Sequence, residues 1–256
     1  MVTMSWLTYI LSLPLGLHYN STLELGTSWR RGAEGVVMRL SVLIPVYNEE
    51  QTLEEVIRRV GEVELEKEII VVDDCSTDGT AAILSSLSQE GLVVLSHDRN
   101  RGKGAAIRTA LAAATGDAVI IQDADLEYDP RDFHKLVEPL SKGQARVVYG
   151  VRSLADQEWH LRLGNRLLTK LTNLLYGSDL HDMETCYKLI GKEVIDSMDL
   201  HADGFAIEAE ITAKILRRGH RIHQVPIWYF PRIEKKLTPL DGLPTLWTLL
   251  KLRFTD

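Results

Sequence analysis

Residues Ala118-Val119-Ile120-Ile121-Gln122-Asp123-Ala124-Asp125-Leu126-Glu127 decide the fold. An apolar run of strand length ends abruptly in three acids spaced two apart. In an extended chain alternate side chains share a face, so Asp123, Asp125 and Glu127 are expected to converge. Carboxylates held together repel one another, and a bound divalent cation relieves the repulsion. All-oxygen ligands select a hard ion, Mg²⁺ or Mn²⁺. A lone Asp-x-Asp also suits a plain polar strand end, so the surrounding chain must decide.

Outward from this stretch, strands and helices alternate. Leu40–Val46, Glu68–Val72, Leu92–Leu95 and residues 118–121 read as strands, and Arg146–Val151 as a fifth. Helical patterns separate them: one reaching about Val60, one over 79–88, one over 102–114 and one opening at Pro130. Strands spaced by helices imply βαβ units and a mostly parallel sheet flanked by helices, an α/β fold. In such sheets ligands bind beyond the carboxyl ends of the strands. The polar clusters Tyr47-Asn48-Glu49, Asp73-Asp74, Arg99–Gly104 and Asp123–Glu127 all fall there. Four coincidences make a site.

The second part of the chain is less regular. Trp159–Tyr176 and Gly204–Arg218 read as helices, Arg221–Val225 as a late strand and Leu243–Phe254 as an amphipathic helix. Glu208 and Glu210 lie two apart, so on a helix only one of them can face a site. Arg162, Arg166 and Lys170 recur at spacing four, on one helix face. Residues 1–37 carry no clear period and read as an N-terminal appendage ahead of a natural start at Met38. The expected division is an appendage at 1–37, a catalytic domain at 38–236 and a C-terminal amphipathic segment at 237–256.

Composition narrows the function. The 256 residues carry a net charge of −7, which argues against a nucleic-acid partner, because phosphate backbones demand a basic surface. Only Cys75 and Cys186 are present, which suits a reduced, cytoplasmic protein. No stretch reaches the roughly 20 apolar residues that span a bilayer. The P-loop signature is absent, and Gly102-Lys103-Gly104 lacks the third glycine of the dinucleotide fingerprint. Gly102 and Gly104 still permit close approach to a phosphate at a helix N-terminus, or a plain tight turn.

Leu43-Ile44-Pro45-Val46-Tyr47-Asn48-Glu49-Glu50, then Val71-Val72-Asp73-Asp74-Cys75-Ser76-Thr77-Asp78-Gly79-Thr80, resembles the opening of inverting family 2 glycosyltransferases. Asn100-Arg101-Gly102-Lys103-Gly104-Ala105-Ala106 and Asp123-Ala124-Asp125-Leu126-Glu127 continue the match in order, and the resemblance runs over about residues 39–236. Within that family the chain is similar to the polyprenyl-phosphate sugar transferases, the dolichyl-phosphate mannose and glucose synthases. The resemblance implies a Rossmann-like GT-A fold and a donor of the GDP-mannose or UDP-glucose type. It places Pro45, Tyr47 and Glu49 beside base and ribose, and Asp74 on the base. Asp123, Asp125 and Glu127 become the metal ligands, although mannose synthases carry Gln at the third position. Gly102, Lys103, Gly104, Arg232, Lys235 and Lys236 complete the donor side, the last two also suiting a solvated charge run. The segment Asp182–Lys188 matches the family's sugar and acceptor region, making Asp182 a candidate for sugar hydroxyls or for a base.

The acceptor decides whether a base is needed. A hydroxyl must lose a proton as it attacks. A phosphate monoester, with its second pKa near 6, is already largely dianionic and needs only cations to hold it. Arg152 and the Arg162, Arg166 and Lys170 stripe are expected there, the stripe equally suiting a solvated face. A polyprenyl phosphate implies a visit to the cytoplasmic face of a membrane, or a membrane-embedded partner. Leu243, Leu246, Trp247, Leu249, Leu250 and Phe254, near Lys251 and Arg253, suit an interfacial helix. The alternatives are a small soluble acceptor such as a phosphorylated glycerate, and a non-catalytic nucleotide-sugar-binding protein.

Overall fold

The computed structural model describes residues 31–32, 35–36, 38–155, 157–232 and 242–255. The expected appendage therefore lies outside the described residues, apart from a hairpin pairing Arg31–Gly32 with Gly35–Val36. The strands are β1 (Leu40–Val46), β2 (Lys67–Asp73), β3 (Leu92–Ser96), β4 (Ala118–Ile121), β5 (Val147–Arg152), β6 (Lys188–Gly191) and β7 (His223–Ile227). The helices are α1 (Leu53–Glu62), α2 (Thr80–Ser86), α3 (Lys103–Ala113), α4 (Phe133–Ser141), α5 (Trp159–Tyr176), α6 (Lys192–Ile195), α7 (Ile207–Arg217) and α8 (Gly242–Phe254).

The sheet runs β3-β2-β1-β4-β6-β5-β7. β1 pairs in parallel with β2 and β4, with Leu40 opposite both Lys67 and Ala118. β6 is antiparallel to β4 and to β5, and β7 is parallel to β5. β1, β2 and β4 are buried along nearly their whole length, as strands covered on both faces must be. Leu53, Val56, Ile57 and Val60 form the buried stripe of α1, spaced three and four apart as a core-facing helix requires. Each such side chain contributes about 1.5–3 kcal/mol by leaving water.

β6 was not expected from the sequence. Its four residues begin with a lysine and are flanked by polar positions, which is too short for a period of two to show. A second, smaller core joins α5, α7 and α8 through Leu180, Met183, Ala209, Ala213 and Leu249. Tyr176 Oη donates to the Leu249 carbonyl at 2.8 Å, so α8 is docked on the domain. At the other end of the sheet β1 leads through α1 to β2 on one side, while β4, entered from β3 through α3, lies against its other side. This is the switch point where an open α/β sheet forms its crevice.

Candidate active site

A cleft of about 610 Å³ opens there, reached by Pro45, Tyr47, Glu49, Asp74, Asp123 and Asp125 from the strand ends. From the other side come Arg152, Asn165, Glu184, Phe205 and Glu208. The acid run does not continue the strand. β4 stops at Ile121, and the chain turns, with Leu126 in the left-handed region at φ 61°. The convergence of three unencumbered carboxylates is therefore corrected. Asp123 pairs with the Lys103 ammonium at 2.7 Å. Glu127 accepts from Tyr229 Oη and from the Arg232 amide, both at 2.8 Å. Among the described residues no three His, Cys, Asp or Glu side chains stand ready as a metal cage.

Asp125 is different. Its carboxylate takes one bond, from the Glu127 amide at 3.1 Å. Burial, and then the charges of Asp123 and Glu127, push its pKa up to about 7. A carboxyl crowded by two others, with no cation at contact distance among the described residues, is chemically suited to a hard divalent ion. Mg²⁺ and Mn²⁺ commonly take one or two protein carboxylates and complete their shells with water and substrate phosphate. The residues thus fit such an ion, with Asp125 as its principal holder and Asp123 or Glu127 beside it.

Behind this turn runs a buried chain of alternating charge. Lys103 reaches Asp123 at 2.7 Å and Glu208 at 3.2 Å, and Glu208 meets the fully buried Lys188 at 2.6 Å. Burial alone would depress the Lys103 pKa, but Asp123 and Glu208 outweigh it and hold it well above the ordinary value. Burial likewise opposes ionisation of Asp123, and Lys103 reverses that. Glu210, on the other side of α7, caps the His201 and Ala202 amides instead. Only Glu208 of the pair reaches the cleft, as the helix geometry requires.

The glycine loop also needs correction. Gly102 has φ 92°, yet its missing Cβ serves the protein's own chain. A Cβ on Gly102 or Gly104 would strike the carbonyls of Asp203 and Ala202, and the Ala105 amide donates to Asp203 O at 3.1 Å. The first turn of α3 is therefore packed against residues 202–204, and Asn100, Gly102, Lys103 and Ala106 border the cleft while Gly104 does not. Asp74 anchors this loop, accepting from the Arg101 and Gly102 amides at 2.8 and 2.7 Å and facing His97 Nδ1 at 2.6 Å. Since Oδ2 carries one of these bonds, it retains capacity toward the cleft. His97, which the sequence left without a role, holds Asp74 and contacts Thr109 at 2.9 Å.

At the far end Arg152 grips Asp182 through two bonds of 2.7 and 2.9 Å, and its guanidinium lies 5.0 Å from the Tyr229 ring centre. Asp182 is 1% exposed and also accepts from Asn165 at 3.1 Å. Burial raises its pKa, but Arg152 overrides this and holds the group below the carboxylate range. Both of its oxygens are engaged, by Arg152 and Asn165, so Asp182 serves to position Arg152. Glu184 was missed. It lines the same end, its Oε1 is shielded from solvent with no hydrogen-bond partner among the described residues, and burial pushes its pKa up to about 7. Its position inside a motif dominated by Asp182 gave no separate signal.

The basic stripe is corrected outright. α5 presents His160, Leu161, Gly164, Asn165 and Leu168 to the cleft. At about 100° per residue, Arg162, Arg166 and Lys170 centre roughly 150° away from that face. They share a face, but it points outward. Arg232 borders the cleft: it pairs with Glu49 at 2.6 Å and donates from Nε to the Asp125 carbonyl at 2.9 Å. Lys235 and Lys236 lie outside the described residues.

An α/β sheet with one antiparallel strand, and a cleft whose acid turn sits at the switch point, define a GT-A-type fold. The glycosyl transferase family 2 profile matches residues 41–198, and the chain belongs to that family. A glycosyltransferase AglJ of Haloferax volcanii is 30% identical over 207 residues, covering 79% of this chain and 66% of the relative. The chain thus matches just under two thirds of that relative's length. Glucosyl-3-phosphoglycerate synthase from Mycobacterium tuberculosis, in complex with Mn²⁺, UDP and phosphoglyceric acid, superposes with a TM-score of 0.71 at 26% identity. The match covers 86% of this chain and 80% of that one. The same enzyme with Mn²⁺, UDP-glucose and phosphoglyceric acid gives 0.69 at 26% identity, covering 86% and 81%.

Proposed function

We propose that this protein transfers a sugar, with inversion, from a nucleoside-diphosphate sugar to a polyprenyl phosphate, using Mg²⁺ or Mn²⁺. The donor is of the UDP-glucose or GDP-mannose type. The observation that carries the acceptor is the apolar part of the cleft lining, made by Leu161, Gly164 and Leu168 of α5 with Gly242 of α8 and Phe205. A lining of that character suits an isoprenoid chain and offers a small charged acceptor little. The donor side rests on family membership and on the acid turn beside Tyr47, Glu49 and Asp74.

When bound at Asp125 with Asp123 or Glu127, the ion supplies Lewis-acid stabilisation of the departing diphosphate. Tyr47 and Pro45 border the nucleoside, and Asp74 keeps the loop at Gly102 in place. Arg232 is tied to Glu49 and to the acid turn, which sets its charge beside the diphosphate position. Lys103 neutralises Asp123 and limits the negative charge that would repel the donor. Arg152, oriented by Asp182, offers the acceptor phosphate a fixed cation, and that phosphate attacks without a protein base.

Glu184 favours a second reading. A carboxyl with pKa about 7 at the acceptor end is well matched to removing a proton from a hydroxyl, as a phosphoglycerate-type acceptor would require. The two readings separate in one assay. A panel of labelled nucleotide sugars with Mn²⁺ is offered polyprenyl phosphate or phosphoglycerate, and products are partitioned into organic solvent. Label in the organic phase, undiminished by Glu184→Gln, supports the polyprenyl phosphate. Label held in the aqueous phase on phosphoglycerate, and lost in Glu184→Gln, supports the soluble acceptor and removes the first reading.

A further inference from the structure

α5 and α8 share an unusual outer surface. Trp159, Leu163, Leu167 and Leu174 of α5 are between 49% and 81% exposed. At about 100° per residue they fall within one arc, and Arg166 and Lys170 lie in or beside it. On α8, Thr245 and Leu249 face the domain, while Leu243, Trp247 and Phe254 are 57–79% exposed. These three cluster on the side opposite Leu249, with Lys251 next to them.

The two helices are neighbours. Leu168 and Tyr176 of α5 pack with Leu249 and Leu252 of α8 in the smaller core. Neither helix contains a single Asp or Glu, yet together they carry Arg162, Arg166, Lys170, Lys251 and Arg253. The chain as a whole carries −7. The outer face of α1 shows what an ordinary solvated helix here looks like: Glu55 pairs with Arg58 and Arg59 at 2.7 and 2.6 Å, and no large apolar side chain stands out. Interleaved tryptophan, leucine and cations without acids match a surface that is apolar inside and negatively charged outside.

We infer that the joint outer face of α5 and α8 docks on an anionic bilayer, with Trp159, Leu163, Leu174, Trp247 and Phe254 entering the headgroup boundary. Arg166 and Lys170, which the sequence assigned to an acceptor phosphate, contact lipid headgroups. Residues of both helices, Leu161, Gly164 and Leu168 of α5 and Gly242 and Thr245 of α8, also line the cleft, so docking brings the site close to the layer in which a polyprenyl chain resides. The inference deepens the polyprenyl-phosphate reading and rests on it for its purpose, while its geometry stands apart from it.

The test uses the full chain and vesicles that contain no polyprenyl phosphate. Wild type is expected to sediment with phosphatidylglycerol-containing vesicles and at least tenfold less with pure phosphatidylcholine or at high salt. Leu163→Glu combined with Leu174→Glu is expected to weaken sedimentation at least tenfold with an unchanged melting temperature. Transfer to polyprenyl phosphate in detergent is expected to stay within twofold of wild type, so failure of the acceptor reading shows up separately. Wild type that binds no vesicle, or equal binding by the double variant, overturns the proposal. So does a double variant that loses its thermal stability, since the face would then be covered by protein. Arg166→Glu with Lys170→Glu is the second variant: salt-insensitive binding unaffected by it would overturn the headgroup assignment.

Discussion

The two ends of the cleft are held by different means. At the donor end three carboxylates are tied to main-chain amides, Asp73 to Ser76, Asp74 to Arg101 and Gly102, and Asp78 to Thr80, while Asp123 and Glu49 pair with the part-exposed Lys103 and Arg232. At the acceptor end the carboxylates are tied to cations, Asp182 to the buried Arg152 and Glu208 to the buried Lys188 and to Lys103. Backbone anchors leave neutral amides behind when the side chain changes, at a cost of about 1–3 kcal/mol. Buried ion pairs depend on both partners, and losing one strands the other in a dry environment. The donor end is therefore expected to respond to mutation mainly through ligand affinity and turnover, and the acceptor end mainly through stability and pH.

The largest effect belongs to Asp125→Asn. The change removes the charge best suited to the cation while keeping the shape of the turn. Transfer is expected to fall about a thousandfold, roughly 4 kcal/mol of transition-state stabilisation, with the melting temperature unchanged or slightly raised. A turnover within about threefold of wild type would remove Asp125 from the metal. Lys188→Met sharpens the contrast from the other end. Leaving Glu208 without its closest cation is expected to cost about 3 kcal/mol of stability, read from denaturant midpoints. A midpoint unchanged from wild type would mean that Lys103 alone satisfies Glu208.

Glu184 adds a pH signature. Its folded pKa of about 7 lies above the unfolded value of 4.5, so the folded state binds the extra proton between these limits. Stability therefore falls as pH rises from about 5 to 8. Glu184→Gln abolishes that loss and is expected to be more stable than wild type at pH 8 by about 3 kcal/mol, and equal near pH 4. Parallel stability curves for the two proteins would contradict the burial of an unpartnered acid there. The smallest effect is expected from Arg166→Ala: under twofold on transfer in detergent, because its face of α5 points away from the cleft. A selective loss of acceptor use would restore it to the site.

Much of the donor end was legible because its signals are local. Apolar runs gave β1, β2 and β4, and polar residues just past each strand gave the cleft. What the sequence lacked was direction. Spacing placed Arg162, Arg166 and Lys170 on one face but could not say that this face is turned outward. Glycines at 102 and 104 announced a close approach but not its partner, which proved to be residues 202–204. The alternation of Asp123, Asp125 and Glu127 presumed a strand that ends at Ile121, and beyond it the turn hands each acid a different neighbour. β6, Lys188 and Glu184 went unread because they depend on contacts between segments distant in the chain.

The acid turn is assembled only in part by the protein, and a divalent ion with a nucleoside diphosphate is expected to complete it. Calorimetric titration of UDP and of GDP into the protein, in Mn²⁺ and then in EDTA, measures this directly. One of the two nucleotides is expected to bind at least a hundredfold more tightly with Mn²⁺, and Asp125→Asn is expected to erase the difference. Equal affinity in Mn²⁺ and in EDTA for the wild-type protein would contradict the account.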